Sequence, residues 1–487
     1  MTVRIPFDNS YARLPERFFA RVKPTPVAAP RLIRVNTALA QSLGIDAASL
    51  ESAEGVAILS GNAIADGSEP IAQAYAGHQF GGFSPVLGDG RAILLGEVVD
   101  RDGQRRDIQL KGSGPTPFAR RGDGRAALGP VLREYLISEA MAALGVPTTR
   151  ALAAVTTGDR VPRETMLPGA IFTRVAASHI RVGTFQYFAA RGDVEAVQLL
   201  ADYAIARHYP NAAHGAQPYR AFLDAVVARQ ADLIAQWLLI GFIHGVMNTD
   251  NTAISGETID FGPCAFMDTY DTRAVFSSID YQGRYAYGNQ PNIGFWNLTR
   301  LAEALLPVLG SSEDAAIAEA KESLGAFASR FQASYDHGLR RKIGLTSDGE
   351  ADTALAHDLL RLMAENGADF TLTFRTLSDG DDEAVRVLFA DGAAYDGWAK
   401  RWRRQLAAEA VSPEALRAAM RAVNPVYIPR NHNVERVIQA AVSAEDFGPF
   451  EELLEVLSRP YEEQPGRERY TLPPAPDERV LQTFCGT

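Results

Sequence analysis

The stretch HGVMNTDNTAISGETIDFGP, residues 244–263, carries the most specific chemistry in the chain. Two short strand-like runs flank Ser255-Gly256, a dipeptide suited to a two-residue hairpin turn. Pairing Ser255 with Gly256 puts Asn251 opposite Asp260, so this register predicts two oxygen-bearing side chains on one face, about 5 Å apart. A carboxamide oxygen and a carboxylate held that close suit a hard cation such as Mg²⁺, which takes its other ligands from water and substrate phosphates. For an arbitrary Asn–Asp pair, the simpler reading is a surface hairpin with polar ends.

The neighbouring residues sharpen the choice. Asp260-Phe261-Gly262 resembles the Asp-Phe-Gly element of protein kinases, and the interval from His244 to Asn251 matches their catalytic-loop spacing. The third residue of that signature is an aspartate, but here it is Val246, which cannot take a proton; Asp250 stands instead beside Asn251. A kinase-like chain also needs a strand lysine and a helix glutamate. DIQLKG, residues 107–112, puts Ile108 and Leu110 on one face and Gln109 and Lys111 on the other, which points Lys111 away from the core. The following helix, expected from about Pro130 to Leu144, offers Glu134 and Glu139. At 100° per residue Glu139 lies beside the apolar stripe of Leu132, Leu136 and Ala140, and Glu134 nearly opposite it. Periodicity leaves that pair open.

Two glycine-dense segments precede this helix, GHQFGGFSPVLGDGR (77–91) and KGSGPTPFARRGDGR (111–125). Backbone N–H groups in such loops can cradle phosphate, although no GxxxxGK[ST] loop occurs. Arg91, Lys111, Arg120, Arg121 and Arg125 cluster between residues 91 and 125, and Arg174 and Arg181 follow in strand-like context. The three arginines from 120 to 125 suit a solvated face equally well. Composition sets the wider bounds. The chain has 487 residues and a net charge of −11, so it lacks a global footprint for nucleic acid or anionic membrane. No apolar run approaches the roughly 20 residues of a membrane span, and the first residues lack a signal peptide's apolar core, so a cytoplasmic protein is expected. Strand-like runs are expected at 92–99, 107–110, 151–157 and 170–178. Helices are expected from about 190, with one ending near His244; helical periodicity returns from about 298 to 343, where Gly344 is a plausible stop, and resumes from 351.

The strings GHQFGGFSPVLGDGRA, QLKGSGPTPFARRGDGRAALG, HGVMNTDN and TIDFGPCAFMD resemble the selenoprotein O family, and NPVYIPRNH (424–432) fits as well. The resemblance runs from about residue 5 to the end. It implies an α+β, protein-kinase-like two-lobed fold: a sheet-rich nucleotide-binding lobe over 1–185, a helical lobe with the catalytic and metal-binding segment over 186–430, and a C-terminal extension over 431–487. It implies ATP bound in a flipped orientation, with AMP transferred to Ser, Thr or Tyr hydroxyls of protein substrates. Carried onto this chain, it makes Asp250 the proton acceptor and pairs Lys111 with Glu134. It assigns the nucleotide to Gly88, Gly90, Arg91, Lys111, Asp123, Gly124, Arg174, Arg181 and Asp260. Asn251 and Asp260 become the ligands of Mg²⁺ or Mn²⁺. A metal-dependent protein kinase and an inactive nucleotide-binding pseudokinase are the alternatives. The family is named for a C-terminal selenocysteine, where this chain has Cys485. The resemblance thereby suggests a reversible Cys264–Cys485 disulfide clamping the tail over the active-site segment. Against it stands the rarity of stable disulfides in the cytosol.

Overall fold

The computed structural model describes residues 2–409 and 411–484. Seven strands follow one another across an antiparallel sheet in the order Phe19–Arg21, Ile71–Gln73, Ala92–Val99, Arg105–Lys111, Met166–Ala176, Arg150–Pro162 and Arg31–Val35, and Ala126–Ala127 pairs beside Met166–Ala176. Ala92–Val99 and Arg105–Lys111 are joined by the expected turn at Arg101-Asp102-Gly103, and Ala92 pairs with Lys111. One face of the sheet sends Ile108, Leu110, Val155 and Ile171 into a core closed by short helices between residues 37 and 59. The other face is covered by the helix Leu128–Ala143.

That helix is buried on nearly every side. Leu132 and Leu136 share a cluster with the sheet residues Ala154 and Phe172, and the helices Asn431–Ala444 and Gly448–Leu457 close over it with Val434, Phe450 and Leu453. A wheel argument needs one wet face, and this helix has none, so the apolar stripe does not tell which glutamate meets the lysine.

From residue 182 onward the chain is mostly helical around a separate large core. The helix expected to end near His244 spans Pro218–Leu239; the chain reverses at Gly241 (φ 71°), and Phe242–Ile243 pairs with Ala265–Phe266. The helical periodicity expected over 298–343 belongs to two helices, Gln290–Leu309 and Glu313–Lys342, with Ser312 capping the second through its side chain. Gly344, in left-handed conformation, follows the end of the second. Among the described residues no helix is long and apolar enough to cross a membrane. The molecule is thus a mixed α/β protein with a sheet region and a helical region.

Candidate active site

The hairpin expected over 251–260 does not form. Ala253 bridges Arg181 and Thr258 bridges Thr148, so each run pairs with a distant segment instead of with the other. The backbone bonds from Val182 N to Thr252 O (2.9 Å) and from Thr258 N to Pro147 O (2.9 Å) secure both ends. Asn251 and Asp260 nevertheless line the same cleft, of about 750 Å³, together with Asp250. They converge through tertiary pairing, not through hairpin register.

The cleft wall on the sheet side is a chain of matched charges. Lys111 Nζ lies 2.6 Å from Glu134 Oε2 and 2.6 Å from Asp260 Oδ1. Arg174, directly across the sheet from Gln109, donates to Glu134 Oε1 (3.2 Å) and to Gln109 Oε1 (2.7 Å). Gln109 Nε2 donates in turn to Asp89 Oδ2 (3.2 Å), and Arg181 stands 3.7 Å from Asp89 Oδ1. Arg181 also stacks on Tyr75 at 4.4 Å and donates to the backbone carbonyl of Asp250 (3.2 Å). Burial raises the Asp260 carboxyl, but Lys111 and Arg174 outweigh it and hold this group well below the usual carboxylate range. Asp260 takes a left-handed backbone (φ 68°), which a non-glycine residue adopts at a cost and which is common at functional sites.

Glu134 is therefore the partner of Lys111. Glu139 is a structural group: it accepts from Asn36 Nδ2 (2.8 Å), Arg150 Nε (2.9 Å) and Ala151 N (2.8 Å), tying the helix to the neighbouring strand. Of the residues expected around the nucleotide, Gly88, Gly90, Arg91, Asp123, Gly124 and Asp260 line the cleft. Lys111, Arg174 and Arg181 stand one layer behind it, all buried; Lys111 reaches it through Asp260 and Arg181 through Asp250, while Arg174 holds Glu134. The two glycine-dense segments pack on each other: Thr116 Oγ1 donates to Asp89 O (2.7 Å), and a Cβ at Gly88 would meet the Phe118 ring at 2.3 Å. At Gly124 (φ 66°) a Cβ would meet the Gly114 backbone at 2.1 Å, so only glycine fits. Asp123 is occupied by Arg163 through both carboxylate oxygens (2.8 and 3.3 Å).

The opposite wall is built differently. Asp250 is buried, and Arg181 and Asp260 are the charges that act on it most strongly. Its Oδ2 accepts from Gln79 Nε2 at 3.3 Å, while its Oδ1 has no hydrogen-bond partner. Burial pushes the carboxyl up to about 6 against the opposing pull of Arg181. The hairpin Gly77–Gln79/Gly82–Ser84 lies on this segment: His78 N donates to Thr249 Oγ1 (2.7 Å) and Phe80 N to Asn248 Oδ1 (3.1 Å). A Cβ at Gly77 would come within 2.8 Å of Asp250 Oδ1, so glycine permits this close approach. Asn251 Nδ2 donates to Val246 O (3.1 Å), which fixes the orientation of its carboxamide.

Asn248, Gln79, Tyr75 and Asp89 escaped the sequence reading. Gln109 was grouped with Lys111 by strand alternation alone, and that grouping was the one signal for its place in the charge chain. Cys264 is a buried free thiol that burial pushes up to about 12, and its Sγ lies 3.2 Å from Phe261 O. Cys485 lies outside the described residues.

A mixed α/β protein with a lysine–glutamate–aspartate cluster behind a glycine- and arginine-lined cleft is built for a phosphate-bearing ligand. The family model described as Protein adenylyltransferase SelO matches residues 2–458, and the chain belongs to that family of nucleotidyltransferases. It is 65% identical over 491 aligned residues to protein nucleotidyltransferase YdiU of Bradyrhizobium sp. (strain ORS 278), covering all of both chains. The proteins of the same name from Rhodopseudomonas palustris (strain BisB18) and Methylorubrum extorquens (strain PA1) are 64% and 65% identical, again over the full length of each.

Proposed function

We propose that this chain transfers AMP from ATP to Ser, Thr or Tyr hydroxyls of other proteins. The observation that carries the reading is Asp250, a buried carboxylate that lines the cleft beside Asn251 and Asp260 with one oxygen unpartnered. In the reaction the acceptor oxygen bonds to the α-phosphorus as the bond to the β-bridging oxygen breaks. Pyrophosphate leaves, and the hydroxyl proton passes to Asp250. Val246, at the position where kinases keep their base, cannot serve. Lys111, with Arg174 and Arg181 behind it, supplies fixed positive charge toward the departing pyrophosphate.

Asn251 and Asp260 would hold Mg²⁺ or Mn²⁺, which supplies charge neutralisation on phosphate oxygens when bound. They fit that task, since Asp260 is held ionised and Asn251 brings a carboxamide of fixed orientation to the same cleft.

A kinase-like division at about residues 185 and 430 is supported by the antiparallel sheet, the helix behind it and the Lys111–Glu134 pair. The cleft takes lining residues from both sides of the first division. A cytoplasmic setting belongs to the same reading. So does a thiol clamp: Thr483, two residues before Cys485, donates through Oγ1 to the carbonyl of Pro263, the neighbour of Cys264 (2.5 Å). The raised Cys264 thiol would react only after this segment opens.

Incubation with ATP labelled at the α or at the γ position tests the reaction. Protein labelled from the α position alone is expected. Efficient labelling from the γ position would make the enzyme a kinase, and tight ATP binding with neither label would make it a scaffold.

A further inference from the structure

The roof of the cleft carries a feature that nucleotide chemistry does not use. Phe80, at the tip of the hairpin pinned to Asn248 and Asp250, has a left-handed backbone (φ 51°). Two-residue hairpin turns usually fill such positions with Asn, Asp or Gly, so a phenylalanine is held there at a cost. The turn leaves the Phe80 ring 39% exposed beside the cleft it lines, 5.2 Å from the ring of Tyr285. Phe83, on the return strand, is 42% exposed; across the cleft mouth, Ile279 is 41% and Tyr281 90% exposed. Arg284 links the two segments: its backbone N donates to Oδ1 of Asp280, the residue between Ile279 and Tyr281 (2.9 Å), while its side chain meets the hairpin. Its guanidinium lies 3.8 Å from where a Cβ on Gly81 would stand and 4.8 Å from the ring of Trp296, which also meets His78 at 5.2 Å. Large apolar side chains exposed at and beside the mouth of a functional cleft mark an interaction surface.

We propose that this ledge of Phe80, Phe83, Ile279 and Tyr281 grips the acceptor protein through an apolar residue next to the modified hydroxyl, and so sets acceptor choice. The proposal rests on the transferase reading above. An acceptor hydroxyl must reach Asp250, and the arginines and glycines of the other rim belong to the nucleotide. The open approach therefore runs past Phe80 and Ile279, both of which line the cleft. In that reading the acceptor is a protein, and Tyr281, two residues after Ile279 and 90% exposed, extends the apolar surface offered to it, so the occupant is a polypeptide segment with apolar side chains flanking the hydroxyl.

The test uses the full chain, α-labelled ATP and two ten-residue peptides with a single Tyr acceptor, flanked on both sides by Leu in one and by Ser in the other. The wild type is expected to favour the Leu peptide about tenfold in kcat/KM, through KM. The Phe83→Ser/Tyr281→Ser double variant should bring the two peptides within about twofold, with KM for ATP unchanged. Neither substituted residue lines the cleft, and a matching melting curve checks the fold. Should the double variant fold poorly, Tyr281→Ser alone must still narrow the preference. Equal use of both peptides by the wild type, or an undiminished preference in the variants, overturns the ledge but not the transferase reading. A wild type that labels neither peptide nor any protein in a cell extract overturns both. If the substitutions instead abolish self-association in sedimentation and leave peptide kinetics alone, the ledge belongs to a second copy and the proposal fails.

Discussion

The two walls of the cleft hold carboxylates under opposite regimes. On the sheet side Asp260 stands in a chain in which Lys111, Arg174 and Arg181 are each answered by an acid, and it is locked in its charged form. On the helical side Asp250 is the more deeply buried of the two, with Arg181 behind its backbone and an open oxygen, and its carboxyl is pushed up to about 6. Matched charges make a rigid electrostatic frame that needs no rearrangement when an anionic ligand arrives. An under-paired carboxylate makes a group that can accept a proton. One wall is built for holding and the other for reacting, and burial serves both ends because the neighbours differ.

Breaking the reacting wall has the largest expected effect. Asp250→Ala should cut AMP transfer by about 10²–10⁴-fold, while ATP affinity from calorimetry stays within about threefold of wild type. A variant that loses ATP binding in proportion to transfer would put Asp250 in the holding wall. Next comes Glu134→Gln, which leaves Lys111 and Arg174 without their shared acid; transfer should fall about 10²-fold, with weaker ATP binding, as the lysine loses its position. If only the urea midpoint moved, the pair would be structural.

Glu139→Gln makes the contrast within one helix. It should cost about 1 kcal/mol of stability through its bonds to Asn36, Arg150 and Ala151, with kcat per folded molecule unchanged. A larger loss of kcat than of stability would return Glu139 to the site.

The smallest effect separates burial at the cleft from burial elsewhere. Glu257 accepts from Ala177 N (2.8 Å) and Ser255 Oγ (3.3 Å), has Arg106 at 3.7 Å and Asp107 nearby, and is pushed up to about 7 by burial. Between its ordinary 4.5 and about 7, the unfolded chain has released this proton while the folded chain keeps it. Folding stability therefore declines across that window and stays lower above it. Glu257→Gln should match wild type near pH 4.5 and melt about 2 °C higher at pH 8, with activity unchanged. A melting difference that did not vary with pH would show that Glu257 does not titrate there.

Nearest-neighbour patterns carried much of this molecule. The alternation in DIQLKG placed Gln109 with Lys111, and the turn at Arg101-Asp102-Gly103 joined the strands it was expected to join. The Asp-Phe-Gly element and Asp250 were legible because their spacing is local. What the chain could not announce by itself was which distant segment supplies each partner. The runs around Ala253 and Thr258 had strand character but no preference for each other, and Arg181 and Thr148 claimed them. Glu134 and Glu139 are both good helix residues; the choice fell to Lys111 and Arg174 on one side and to Arg150 on the other, once the C-terminal helices had buried the face that a wheel would leave wet. Arg174 and Arg181 read as positive charge for an anionic ligand, and only the close packing of sheet on helix made them a buried frame behind it. Periodicity records the geometry of one element, whereas the pairing of charges across elements is set by which surfaces come together and exclude water.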